Sequence, residues 1–370
     1  MTSTEQLIAV RAVMGVAAAM TTPGSMALAF RLFGTEDLRV RAITLISTAG
    51  LVGLAIGPTL GGLVLAVAPW QVLLIANAPI AGLALLGIRL GIAADDASTL
   101  HREPVDFVGA LLGTASIVLA LMIPTLFVNA GAGSVWPWLA VLAAVGALTG
   151  FVLRERSARF PLLPLPLLAV PLVSSGLAFK AAAGLAVSGL SFLVTLQLQF
   201  AWGWPPALAA AGMLPQVAVL LASGRFVAPL VRRVGLGRAA WMSAAAVVLG
   251  LAVFALFGRF GYGAVVVALV LVAAGMRVVG VVAGTNVLNG LPPARTSIGA
   301  ALVDTSSELA TAIGIAAAGT ILAALFAGNL GAAPWDPTQT GQFDTAVTVA
   351  GLALTALSAA LVAFGIIRSR

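Results

Sequence analysis

The sequence predicts an all-α, polytopic membrane protein, and three observations carry that class. Hydrophobic residues make up 61% of the 370 residues and charged residues only 8%, against roughly a quarter charged in an ordinary soluble domain. The mean hydropathy is +1.12. The apolar residues also fall in long runs separated by short polar breaks, and a spanning helix needs about 20 such residues, so the chain has room for about eleven spans.

Apolar runs read against charged and Gly/Pro breaks place the spans near 7–30, 42–66, 71–92, 108–128, 136–153, 173–197, 206–230, 239–258, 262–289, 298–326 and 345–367. Alternate connections hold nearly all the positive charge: Arg31, Arg39 and Arg41; Arg89 and Arg102; Arg154, Arg156 and Arg159; Arg232, Arg233 and Arg238; Arg295; Arg368 and Arg370. The opposite loops contribute Arg259 alone. By the positive-inside rule the basic set faces the cytoplasm, so the first helix runs inward and the C-terminus is cytoplasmic. Trp70, Trp136, Trp138, Trp202, Trp204 and Trp335 sit at the non-basic ends, where amphipathic rings prefer the interface, and Trp241 is the exception. The Pro/Leu-rich stretch 160–171 reads as a cytoplasmic connector. It suggests three parts: a partial N-terminal helix bundle at 1–92, a two-helix linker with cytoplasmic loops at 93–172, and a six-helix bundle at 173–370.

Several classes are excluded or disfavoured. With no cysteine, disulfides, thiolate nucleophiles and Cys-based metal sites do not arise. The single histidine, His101, lies among Asp95, Asp96 and Glu103, a pattern better read as a solvated connector than as a metal site, so no metal is expected. The net charge of +7 is spread between apolar runs, which points to topology signals and not to nucleic acid. Residues 1–5 lack a basic region, so a cleaved signal peptide is not expected. Gly-rich phosphate loops with lysine and HExxH patterns are missing, so the chain reads as no enzyme; no cofactor is expected and an ion gradient would supply the energy.

In the second span GLAIGPTLGG sets Gly53, Gly57, Pro58, Gly61 and Gly62 in one helix. Glycines four apart share a face and admit a close backbone neighbour, while Pro58 removes a ladder hydrogen bond and favours a bend. The pattern resembles the antiporter motif GxxxGPxxGG of Major Facilitator drug:proton exporters, with Thr44 where the extended motif has a glycine. LIAVRAVMGVAAAMTTPGSMAL, with Arg11 and Gly15, resembles the fourth helix of the fourteen-helix branch. APWQVLLIANAPIAGL, REPVDFVGALL, FVLRERSARFPLLPL and LVTLQLQFAWGWPPALAAAGMLP resemble, in order, the sixth helix, the start of the seventh, the connector after the eighth, and the junction of the ninth and tenth. The resemblance covers essentially the whole chain and implies an incomplete Major Facilitator fold that begins at family helix four. A misplaced start codon is the preferred explanation, ahead of a truncation or a split protein completed by a separate polypeptide.

The tenth span places Asp304 and Glu308 on one helical face. Carboxylates in hydrocarbon normally face a bundle interior and mark ion or substrate paths, although Asp304 is also near enough to the cytoplasmic end to reach interfacial water. The segment resembles the DTTRELGGALG pattern of quaternary-ammonium and dye exporters, with Ser307 in place of the arginine. Arg277 lies mid-span in the preceding helix, at roughly 20 Å from the cytoplasmic end against roughly 16 Å for Glu308, so a salt bridge between them is one expectation. Arg11 matches the helix-four arginine that the resemblance links to proton coupling; its alternative is snorkelling to the outer interface. Snorkelling is the preferred reading for Lys180 and Arg225. Gln197 and Gln199 either line a substrate path or sit at the interface.

Together these features predict a proton-coupled exporter of small amphipathic, cationic molecules in the bacterial plasma membrane, with the lipid bilayer and a small-molecule substrate as its partners. The alternatives are an exporter of a neutral or anionic metabolite, because Arg11, Lys180 and Arg277 outnumber the two acids, and an inactive or partner-dependent fragment. The topology is directly testable. Green fluorescent protein fused after Arg370 should fluoresce and alkaline phosphatase fused there should be inactive; the reverse pattern would invert the assignment.

Overall fold

The computed structural model describes residues 4–33, 35–92, 106–131, 133–159, 161–163, 165–291, 296–327, 330 and 335–369. Every regular element among them is helical. That follows from the apolar sequence, because hydrocarbon offers backbone N–H and C=O groups no partners and the α-helix satisfies them within one segment. In chain order the helices are α1 (Thr4–Leu32), α2 (Glu36–Val67), α3 (Gln71–Ile75), α4 (Asn77–Gly91), α5 (Phe107–Ala130), α6 (Val135–Ser157), α7 (Leu165–Ala169), α8 (Pro171–Leu196), α9 (Pro206–Gly212), α10 (Leu214–Ala222), α11 (Gly224–Val234), α12 (Leu236–Phe257), α13 (Tyr262–Asn289), α14 (Thr296–Leu325) and α15 (Pro337–Arg368). Eight stretches among the described residues are long and apolar enough to cross a membrane. Helices α1 and α2, at 29 and 32 residues, also exceed the length a bilayer requires.

Three sequence boundaries need correction. The span expected at 206–230 is three helices, α9, α10 and α11. Pro215 has no N–H to give to the Ala211 carbonyl, and Met213 tightens to a bond on the Ala210 carbonyl at 3.1 Å. Ser223 and Gly224 then make the second break, a pair that commonly interrupts helices. The span at 71–92 is likewise divided at Ala76: Pro79 cannot donate to the Ile75 carbonyl, and the Asn77 side-chain amide donates to the carbonyls of Leu73 and Leu74 instead. The last helix starts at Pro337 and not near 345, because Asp336 and Gln339 form a capping box. The Gln339 N–H donates to Asp336 Oδ1 at 2.6 Å, and the Asp336 N–H donates to Gln339 Oε1 at 3.2 Å.

The chain forms two compact units, residues 1–94 with 204–221 and residues 95–203 with 222–370. In the first, α1 adjoins α2, and α2 packs on α9. In the second, α8 lies at the centre, packed against α12, α13, α14 and α15. Its small residues set those distances. A Cβ on Gly176 would stand 2.6 Å from the Ala283 carbonyl oxygen of α13, one on Gly184 2.8 Å from the Ser307 carbonyl oxygen of α14, and one on Gly189 2.5 Å from Leu354 of α15. Lipid tails are as apolar as the side chains, so water exclusion does little to join helices here, and close packing of this kind provides the attraction. The Ala/Val-rich core around Phe179, Ala182, Ala183, Ala239, Ala244, Val279 and Ala283 follows from the same need.

Helices α5 and α6 form a hairpin in this unit. A Cβ added at Gly113 would stand 3.1 Å from the Phe151 ring, and Phe127 meets Trp138 edge-on at 5.2 Å. Between α11 and α12 the chain turns at Gly235, whose φ of 81° is natural only for glycine. Helices α12 and α13 cross most intimately at Gly275, where an added Cβ would lie 2.5 Å from the Ser243 carbonyl oxygen, a backbone atom that cannot rotate away. Gly275→Val should therefore cost about 1–3 kcal/mol or more and lower the melting temperature in detergent. Gly263→Ala, which meets nothing within 4 Å, should leave it unchanged or slightly raised.

Candidate functional site

The intramembrane charges of the second unit include Lys180 on α8, Arg277 on α13, and Asp304 and Glu308 on α14. A ladder of serines fixes the α8–α14 seam. Ser306 Oγ donates to the Leu177 carbonyl at 2.9 Å. Ser188 Oγ lies within hydrogen-bonding distance of the Gly184 carbonyl at 2.8 Å and, across the seam, of the Thr311 carbonyl at 3.2 Å. Gly184 and Gly314 let the two backbones approach, with an added Cβ at Gly314 falling 2.7 Å from the Leu185 carbonyl oxygen. With Ser306 and Ser307 committed to α8, the helical period turns Asp304 and Glu308 to a shared flank of α14.

The two carboxylates have different surroundings. Asp304 is half-buried and within electrostatic reach of Lys180 on α8. Lys180, itself half-buried, thus has an acidic neighbour, which the snorkelling expectation did not foresee. Glu308 is exposed, and a mid-span carboxylate is tolerated there only where water reaches it.

The expected salt bridge between Arg277 and Glu308 does not form: no ion pair joins them among the described residues. Arg277 Nε is shielded from solvent and has no hydrogen-bond partner among the described residues, a state that costs about 1–3 kcal/mol for a buried polar group and more for a charged one. The mismatch is geometric. Helix α13 turns Val278, Val279, Val282 and Ala283 into the core, and Arg277 shares the opposite flank with Gly280, Val281 and Gly284.

The remaining predicted residues are dispersed. Arg11 is exposed on α1. Gly53 and Gly57 are exposed, and neither they nor the half-buried Gly61 has a neighbour within 4 Å of an added Cβ. Gly62 is buried, and its Cβ would meet the Pro206 carbonyl oxygen at 2.8 Å and Ala210 Cβ at 2.9 Å on α9. Of the motif's glycines, Gly62 therefore makes the close backbone contact. Helix α2 continues through Pro58, whose side chain lies outside the described residues, as do the Arg225 side chain and all of His101, Asp95, Asp96 and Glu103. Gln197 is buried in a π-helical turn, Gln197–Ala201, and its Nε2 donates to the Gly258 carbonyl at 2.8 Å. That bond ties the end of α8 to the end of α12. Gln199 is half-buried in the same turn.

Sequence reasoning passed over one cluster. Asp106 caps α5 by accepting the Gly109 N–H at 3.0 Å and pairs with Arg154 Nε on α6 at 2.8 Å. Beside it, buried Glu155 accepts the Leu163 N–H at 2.8 Å, so the hairpin and the 158–163 connector are held together. The signal was legible as an N-cap aspartate three residues before a glycine; its arginine partner, 48 residues along the chain, was not.

The match to known proteins agrees with this architecture. The family model described as Major Facilitator Superfamily matches residues 1–315. The chain belongs to the Major Facilitator Superfamily. It is similar to the methylenomycin A resistance protein of Bacillus subtilis (strain 168), at 28% identity over 86% of this chain and 68% of that protein. It is also similar to the multidrug efflux pump LfrA of Mycolicibacterium smegmatis, at 28% identity over 92% of this chain and 67% of the pump. A third relative is the putative multidrug resistance protein MdtD of Klebsiella pneumoniae, at 29% identity over 86% and 67%. The chain thus spans about two thirds of the length of each.

The Asp106 pair gives this Major Facilitator chain a pH-dependent clamp. The Arg154 guanidinium, and then the Gly109 N–H, hold the Asp106 carboxyl below its ordinary value of 3.8. A depressed pKa contributes stability above the ordinary value, and the contribution is lost as pH falls through the folded value. Asp106→Asn, which keeps a capping oxygen, should lower the melting temperature at pH 7 by on the order of a few degrees. The gap from the unsubstituted protein should close as the pH is taken below 3.8.

Proposed function

We propose that the protein is a proton-coupled exporter of small amphipathic molecules, cationic ones foremost, working by alternating access in the bacterial plasma membrane. The observation that carries this reading is the flank of α14, where Asp304 lies in the field of Lys180 and Glu308 stands open one turn further on. A carboxylate in a low-dielectric pathway binds a proton or a substrate cation far more readily than it stays alone, and it does not hold both at full strength. That exclusion is the minimal device of antiport: a proton arriving at Glu308 displaces the cation, and a departing proton restores the site.

Asp304 and Lys180 supply the coupling to conformation. With Asp304 ionised, its charge offsets that of Lys180 across the α8–α14 seam. Protonation leaves Lys180 uncompensated, which favours whichever arrangement of the bundle brings water to it. The membrane proton gradient supplies the energy in this reading. Arg11 on α1 assists the coupling, and the α2 glycines, with Gly62 seated on α9, serve as hinge and seal. Resistance and efflux relatives support export as the direction of transport.

In everted vesicles carrying the protein, an imposed inward-acid gradient should drive ethidium uptake that a protonophore abolishes. Glu308→Gln should reduce the gradient-driven rate by about tenfold or more, and Asp304→Asn should blunt its dependence on the gradient. Uptake by Glu308→Gln equal to that of the unsubstituted protein would remove the carboxylate from the mechanism.

A further inference from the structure

The mechanism above leaves Arg277 unused. Arg277 lies near the middle of α13, its Nε is shielded from solvent, and no group among the described residues accepts a hydrogen bond from that atom. Neither candidate acid relieves it, since no ion pair to Asp304 or Glu308 forms among the described residues. The flank it occupies is vacant. A Cβ added at Gly280 or at Gly284 would meet nothing within 4 Å, and Val281, between them, is 47% exposed. The opposite face of the same helix is closed by Val278, Val279, Val282 and Ala283.

An arginine held at mid-depth against lipid tails would be prohibitive unless it snorkelled, and near the middle of a 28-residue helix it is far from either interface. In the export reading this flank lines the substrate pathway. The guanidinium is also the side chain best suited to a planar anion, because its N–H donors match the two oxygens of a carboxylate. The two glycines leave room for the apolar body of a ligand one and two turns from the charge.

We propose that Arg277, with the open flank at Gly280 and Gly284, binds the carboxylate or sulfonate group of an amphipathic substrate. This rests on the export reading proposed above, and it extends the cargo from simple cations to molecules that carry an acidic group.

The test uses a matched probe pair, dansylglycine and its methyl ester, titrated by fluorescence against the full chain in detergent. The unsubstituted protein should bind the acid about tenfold more tightly than the ester. Arg277→Gln should bind the two alike, and Arg277→Lys should keep a weaker preference for the acid. Gly280→Leu should weaken binding of both probes with Arg277 intact, so the assignment stays testable if Arg277→Gln does not fold. Equal binding of acid and ester by the unsubstituted protein, an unchanged preference in Arg277→Gln, or unchanged binding in Gly280→Leu would each overturn it. Loss of the acid preference alongside gradient-driven ethidium uptake would sink this site alone. An intact preference without such uptake would sink the export reading alone.

Discussion

The second unit depends on how closely other backbones approach α8. A helix bundle in lipid cannot draw on the exclusion of water to hold it together, so its cohesion scales with the number of atoms in van der Waals contact. Gly176, Gly184 and Gly189 strip the side chain from successive faces of α8 and admit α13, α14 and α15 to backbone or near-backbone distance. Ser175 and Ser188 then add hydrogen bonds across those seams, to Gly365 and Thr311. Glycine is a poor helix former in water, but in a long apolar segment the lost propensity is offset by the dispersion it permits.

That packing also decides which polar groups can act. Once Ser306 and Ser307 are turned to α8, Asp304 and Glu308 must occupy the free flank of α14, and the half-buried Lys180 comes within reach of Asp304. On α13 the same logic works in reverse. Val278, Val279 and Val282 are drawn into the core, and Arg277 is left on the flank where Gly280 and Gly284 present no side chains. The charged residues of α13 and α14 are placed by the small and apolar residues that lie beside them in sequence.

The ends of the helices follow a different chemistry. At the basic end of the α5–α6 hairpin, Asp106, Arg154 and Glu155 bind the hairpin to its connector through charged hydrogen bonds. At the end of α8 away from the basic loops, Phe200, Phe326, Trp335 and Phe343 stack with centroids 5.0–6.5 Å apart. Mid-membrane seams are thus closed by small residues and ends by polar or aromatic ones.

The sequence by itself determined the helical membrane class, the approximate position of nearly every span, and the family, because apolar run length and charge placement are properties of single segments. It also located the α14 carboxylates, since a carboxylate within a long apolar run is conspicuous without any partner. What it could not determine was partnership. The division of 206–234 into three helices came from local breakers, Pro215 and the Ser223–Gly224 pair, that an apolar tally overlooks. The pairing of Asp106 with Arg154, the seating of Gly62 on α9, the tie from Gln197 to Gly258, and the separation of Arg277 from Glu308 each join or part residues on different helices. Only the tertiary structure decided those, because equal depth in the bilayer does not place two side chains together; the rotation of each helix about its own axis does, and close packing sets that rotation.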